Sequence, residues 1–83
     1  MDYTPHQVAA ALSDLDNADA DTKLDIETAM LRLSRAHRLL LEGVTQGKTV
    51  TSIIRAQGIA GNSTRLYHGA LLSLTSIMNG GAA

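Results

Sequence analysis

The chain has 83 residues with a net charge of −1, two Tyr, no Phe, no Trp and no Cys. That length gives room for one domain with an aliphatic core, and leaves disulfides and thiolate metal sites out. A domain so small buries only about 60–65% of its unfolded surface, which favours added stability from self-association, and we expect a homodimer. The N-terminus MDYTPHQ lacks the basic start and apolar run of a signal peptide, and the apolar runs are too short to span a membrane. A cysteine-free chain of this kind suits a reducing compartment, so a cytoplasmic location is expected.

In chain order the pattern is helical throughout, and the expected fold is all-α: a small four-helix domain ending in a helix-turn-helix-like pair. Thr4-Pro5-His6-Gln7 is a start signal, with Thr as cap, Pro at the first helical position and Gln closing a capping box. An Ala-rich helix follows to about Leu15, then a polar loop, Asp16 to Asp21. Residues 1–20 read as an acidic N-terminal helix and loop. Asp21 or Thr22 caps a long helix over residues 21–43, ending at Gly43 as a left-handed cap. Ile26, Ala29, Met30, Leu33, Ala36, His37, Leu40 and Val44 share one face of it at 100° per residue. Leu24, Leu31 and Leu39 lie off that stripe and call for cover by another helix, a second subunit or a protein partner. Leu72 is a fourth such residue. A third helix is expected from Val50 to Gln57, stopped by Gly58, and a fourth from Asn62 or Ser63 to Met78, together a hairpin over residues 49–78.

Charge is divided along the chain. Residues 1–31 carry seven acids and one base, and residues 32–83 carry six bases (Arg32, Arg35, Arg38, Lys48, Arg55, Arg65) and one acid, Glu42. The split suggests a basic working surface, with residues 1–20 as an acidic arm that shields it when no target is bound or helps to mate subunits.

Three motifs carry no chemistry on closer reading. Gly43 to Thr49 resembles a phosphate-binding loop, but its spacing is one residue short and it follows a helix. Asn17-Ala18-Asp19-Ala20-Asp21 alternates oxygens like a calcium loop, yet Thr22 stands where the loop requires Gly and Thr28 where it requires a bidentate Glu. His6, His37 and His68 have no second ligand at helical spacing; His37, on the apolar stripe, reads as a core or interface residue. No Ser or Thr has a nucleophile's context, so we expect neither an enzyme nor a cofactor.

What remains is the segment 49–74. Ile53 and Ile54 give the first helix an inward face, Gly58 permits positive φ, Ile59 plugs the junction, and Ala60 is small. Leu66, Tyr67, Ala70, Leu71 and Leu74 line the inner face of the second helix. Arg65 and His68, one turn apart near its start, have the position and chemistry of base readers, and Thr64 is grouped with them. Asn62 and Ser63 offer donors at a helix N-terminus, where phosphate binds well. Arg55 adds a phosphate-binding charge on the preceding helix.

Residues 25–33 (DIETAMLRL), 49–60 (TVTSIIRAQGIA) and 63–68 (STRLYH) together resemble the N-terminal DNA-binding domain of TetR-type repressors, over about residues 21–72. The resemblance implies a helix with an I-x-x-A pattern behind a helix-turn-helix, with Arg65 and His68 toward bases and Lys48, Thr49, Thr51 and Ser63 toward phosphates. Leu66-Tyr67-His68 falls two residues later after Gly58 than in that family, which implies a longer turn. The chain also stops where that family's ligand-binding domain begins, which implies no effector pocket. Two functions are therefore open. One is a small sequence-specific DNA-binding regulator or DNA-packaging adaptor, phage- or plasmid-borne, that binds double-stranded DNA. The other is a non-catalytic helical interaction or assembly module that grips a partner through Leu24, Leu31, Leu39 and Leu72.

Overall fold

The computed structural model describes residues 2–58 and 62–81. Among them the chain is all-α: α1 (Pro5–Ser13), a 3-10 turn (Leu15–Asn17), α2 (Ala20–Met30), α3 (Arg35–Thr45), α4 (Val50–Gln57) and α5 (Ser63–Met78). Each α-helix starts at a short polar side chain that accepts a hydrogen bond from an otherwise unpaired backbone N–H of the first turn. Thr4 forms the expected capping box, its Oγ1 accepting from Gln7 N at 3.1 Å while Gln7 Oε1 accepts from Thr4 N at 2.9 Å. Asp19, rather than the expected Asp21 or Thr22, caps α2. Ser34, Thr49 and Asn62 cap α3, α4 and α5.

The expected long helix over residues 21–43 is two helices, which makes five in place of four. At the break Arg32 N and Leu33 N donate to Ala29 O and Met30 O, tight turns that end α2, and Leu33 tucks into the core. Ser34 then caps a new helix. The restart changes the phase of the apolar face. Leu41 and Gly43 are buried on α3, whereas Ala36, from the single-helix stripe, is exposed and His37 is half-buried. Gly43 is not a cap either: α3 continues to Thr45, and Gly47 takes the left-handed conformation at φ 84°.

α5 is the central element and packs against all four other α-helices. Ala70, Leu71, Leu74 and Ile77 on α5 join Val8, Leu12, Ile26, Leu40, Leu41, Ile53 and Ile54 in one aliphatic core. Val8 (1% exposed) and Leu12 (0%) lie at its centre, so residues 1–20 are not a detachable arm. The N-terminus is also strapped down. Asn79 receives Tyr3 N at 2.7 Å on Oδ1 and returns a bond from Nδ2 to Tyr3 O at 2.9 Å. The Tyr3 hydroxyl donates to Asp25 Oδ2 at 2.6 Å, which raises the phenol's pKa above its ordinary value. No described helix is long and apolar enough to cross a membrane.

Candidate nucleic-acid interface

α4 and α5 form the pair expected to be a helix-turn-helix. Thr49 ends the preceding turn and accepts from Ser52 N at 3.2 Å, and α4 runs until Gly58, whose φ of 67° closes it in the left-handed region. That conformation suits a residue without Cβ. The expected plug, Ile59, and the small residues Ala60 and Gly61 lie outside the described residues. Asn62 Oδ1 accepts from Arg65 N at 3.0 Å and starts α5. An exposed N-cap of this type is worth about 1 kcal/mol, so Asn62→Ala should lower stability by about that much in urea unfolding and fray the first turn of α5. Equal stability of the variant would mean that the cap does not hold the turn.

The two halves of α5 have different surroundings. From Ala70 onward it is the core helix. Over its first two turns no residue is fully buried, and Thr64, Arg65 and His68 are exposed. These three and Asn62 line a shallow concavity that contains no acidic side chain. At 100° per residue, Arg65, His68, Leu72 and Ser76 form one exposed strip along the helix, with Gly69 between them. A Cβ at Gly69 would meet open space, so the strip has a gap in its side-chain cover there. Ser76 was not among the expected site residues, although its position four residues after Leu72 would have found it.

The phosphate candidates are spread out. Ser63 is half-buried in the first turn of α5, and Arg55 is exposed in the last turn of α4. Thr49 and Thr51 are exposed at the other end of α4, about 6–9 Å from Arg55 along its axis. Lys48 lies beside them, but it lines a groove between α3 and α4 with Leu39 and Glu42, the acid of the C-terminal half. Arg32 is farther still. It lines a groove with Ile77 and Met78 at the C-terminal end of α5, about 18 Å along that helix from Arg65. The basic half of the sequence is therefore not one basic face.

The acids of residues 1–20 lie elsewhere. Asp14 and Asp16 line a groove with Lys23, Glu27 and Thr45, which shares no residue with the concavity at the start of α5. Asp14 also accepts from Asn17 Nδ2 at 3.0 and 3.1 Å, and of the oxygens that alternate along this loop Asp19 Oδ2 accepts from Asp21 N at 3.2 Å as the cap of α2. Among the described residues no three His, Asp or Glu side chains are grouped to hold a metal ion.

The interface leucines differ. Leu24, Leu31 and Leu72 are exposed by 62%, 73% and 45%, but Leu39 is half-buried in the α3–α4 groove. The segment resembling the I-x-x-A helix of TetR-type domains forms α2 and packs on α5, while α4 is backed chiefly by α3. No known family, curated protein or solved structure matches the chain.

Proposed function

We propose that this chain is a small sequence-specific DNA-binding protein, a regulator or DNA-packaging adaptor, that presents the first two turns of α5 to the major groove of double-stranded DNA. One observation carries the reading. The helix that anchors the core by its C-terminal half leaves Arg65, His68, Thr64 and Asn62 exposed at its N-terminal end, around a concavity without an acid. A rigid helix with exposed donors at its start is what base readout requires, and Arg65 has the bidentate geometry that suits guanine. Arg55, Ser63, Thr49 and Thr51 supply phosphate contacts on either side. Lys48 contributes a weaker one because Glu42 shares its groove. The resemblance to TetR-type DNA-binding domains supports the same reading.

The test is a binding selection on random duplex DNA followed by two substitutions. Arg65→Ala should cost about 1–3 kcal/mol of specific affinity and relax preference at one base pair, while stability changes by less than about 0.5 kcal/mol. Lys48→Ala should weaken binding to all sequences alike and lower the salt slope by at most about one unit. An Arg65→Ala protein that keeps the selected affinity would end the recognition-helix assignment.

The exposure of Leu24, Leu31 and Leu72 favours a second reading, a non-catalytic helical interaction module. Retention on a heparin column separates the two, since phosphate-binding proteins elute with a steep salt dependence and an apolar interaction module does not.

A further inference from the structure

The exposed side of α2 carries an ordered pattern that the DNA reading does not use. Ile26, Ala29 and Met30 turn into the core. On the opposite side Leu24 and Leu31, seven residues apart and so on one line of the helix, stand 62% and 73% exposed. Leu31 extends the helix by one residue with φ −65° and ψ −20°. Asp21, Asp25, Thr28 and Arg32 follow one flank of this line and are all exposed, with acids at the N-terminal end and the base at the C-terminal end.

We propose that two copies of this chain associate through α2, antiparallel about a two-fold axis near Thr28. In that arrangement Leu24 meets the partner's Leu31, and Leu31 meets the partner's Leu24. The same axis brings each Asp21 within about 3 Å, along the helix, of the level of the partner's Arg32, on the same flank. A two-fold axis perpendicular to two antiparallel helices pairs each flank with itself, so an acid at one end and a base at the other are self-complementary. Parallel pairing about a two-fold axis would instead set this flank against the partner's other flank, where no acid lies level with Arg32. Glu27, on the other flank, comes level with its own copy beside the axis, and Lys23, one turn before it and lining the same groove, is the charge that offsets this repulsion. Two leucines from each side make a small interface, well below the roughly 1,600 Å² of a standard one, so the dimer is weak and is reached at high micromolar concentration.

Sedimentation of the full chain tests the proposal, with circular dichroism melts on every variant to confirm folding. The wild-type chain should dimerise reversibly by about 0.5 mM, and Leu31→Glu should remain monomeric there with an unchanged melt. Asp21→Arg and Arg32→Asp should each weaken dimerisation about tenfold or more at low salt, since each sets two like-charge pairs against each other. An equimolar mixture of these two variants should recover a heterodimer of at least wild-type affinity, because both pairs are then complementary. A wild-type chain that stays monomeric at 0.5 mM overturns the association, including the case where α2 serves a different protein. Charge variants without effect, or a mixture no tighter than its components, overturn the antiparallel register. None of these readouts involves DNA, so the outcome is separate from that of the binding selection.

Discussion

A chain lacking residues 2–18 will not fold cooperatively. The deletion removes Val8 and Leu12, which are 1% and 0% exposed, together with Leu15 and the Tyr3 ring packed against the same core. Each fully buried aliphatic side chain contributes about 1.5–3 kcal/mol by transfer from water, before the cost of the void that it leaves. A domain of this size has a total stability of about 4–12 kcal/mol, so losing α1 uses most or all of it. The deletion also uncovers α5 and α3, against which α1 packs, and cuts the hydrogen bonds from Tyr3 to Asn79 and Asp25. The expected result is a loss of most far-UV helical signal and no sigmoidal melt. A truncated chain that melts cooperatively near the parent temperature would show that α1 is peripheral. The acids of this region are better probed in place. Asp14→Asn with Asp16→Asn should leave DNA affinity nearly unchanged, because their groove shares no residue with the concavity at α5's N-terminal end.

Gly43→Val should strongly destabilise the fold. A Cβ at Gly43 would come 2.5 Å from Ile53 Cδ1 and 2.7 Å from Ile53 Cγ1. Ile53 is itself buried and cannot swing out to solvent. Overpacking of this kind costs about 1–3 kcal/mol and at times more. Valine adds two methyl groups beyond the atom that already collides, so the expected loss is about 3 kcal/mol, or more than about 12 °C in melting temperature. Gly43→Ala should lose less, because alanine returns up to about 1 kcal/mol of helix propensity. The cause can be isolated with a double-mutant cycle. In an Ile53→Ala background the collision is gone, and Gly43→Ala should become neutral or stabilising, with a coupling of at least about 1 kcal/mol. Additive effects would show that the close approach of α3 and α4 at this point is not what requires glycine.

Much of the local structure could be read from the sequence, because caps and stops are chemical signals of short range. Thr4, Thr49, Gly58 and Asn62 do in the structure what their side chains, or the lack of one, suggest. The break between α2 and α3 was hidden by an accident of spacing. The apolar residues from Ile26 to Val44 continue at a helical period across residues 31–34, so periodicity alone reports one helix. Ser34, a residue that favours caps over helix interiors, was the only local sign of the restart. With the phase carried over unchanged, Leu41 was left out of the apolar stripe and Gly43 looked like a terminus, and both are in the packed interior. The choice between Gly43 and Gly47 as the terminus depends on a contact with Ile53, which spacing along the chain does not record.

The candidate site was legible residue by residue but not as an arrangement. Arg65 and His68 are exposed at the start of α5, as helical spacing suggests. The idea of one basic surface came from counting charges along the chain, and helix packing redistributes them. Arg32 goes to the far end of α5, and Lys48 is placed beside Glu42. Such placements are set by how five helices pack, not by where they start and stop.

The pair of hydrogen bonds between Tyr3 and Asn79 also governs how the molecule could be re-engineered. It brings the two described ends of the chain side by side, so a linker of a few residues could join them without stretching the fold. New termini opened at the exposed turn of Gln46 and Gly47 would then give a circular permutant with every helix intact. The same adjacency orients anything fused to either described end. Asn79 closes the C-terminal end of α5, so cargo attached there, or at Tyr3 beside it, emerges about 20 Å along that helix from Arg65. A fluorescent or affinity fusion at either end should therefore leave the exposed start of α5 open for binding.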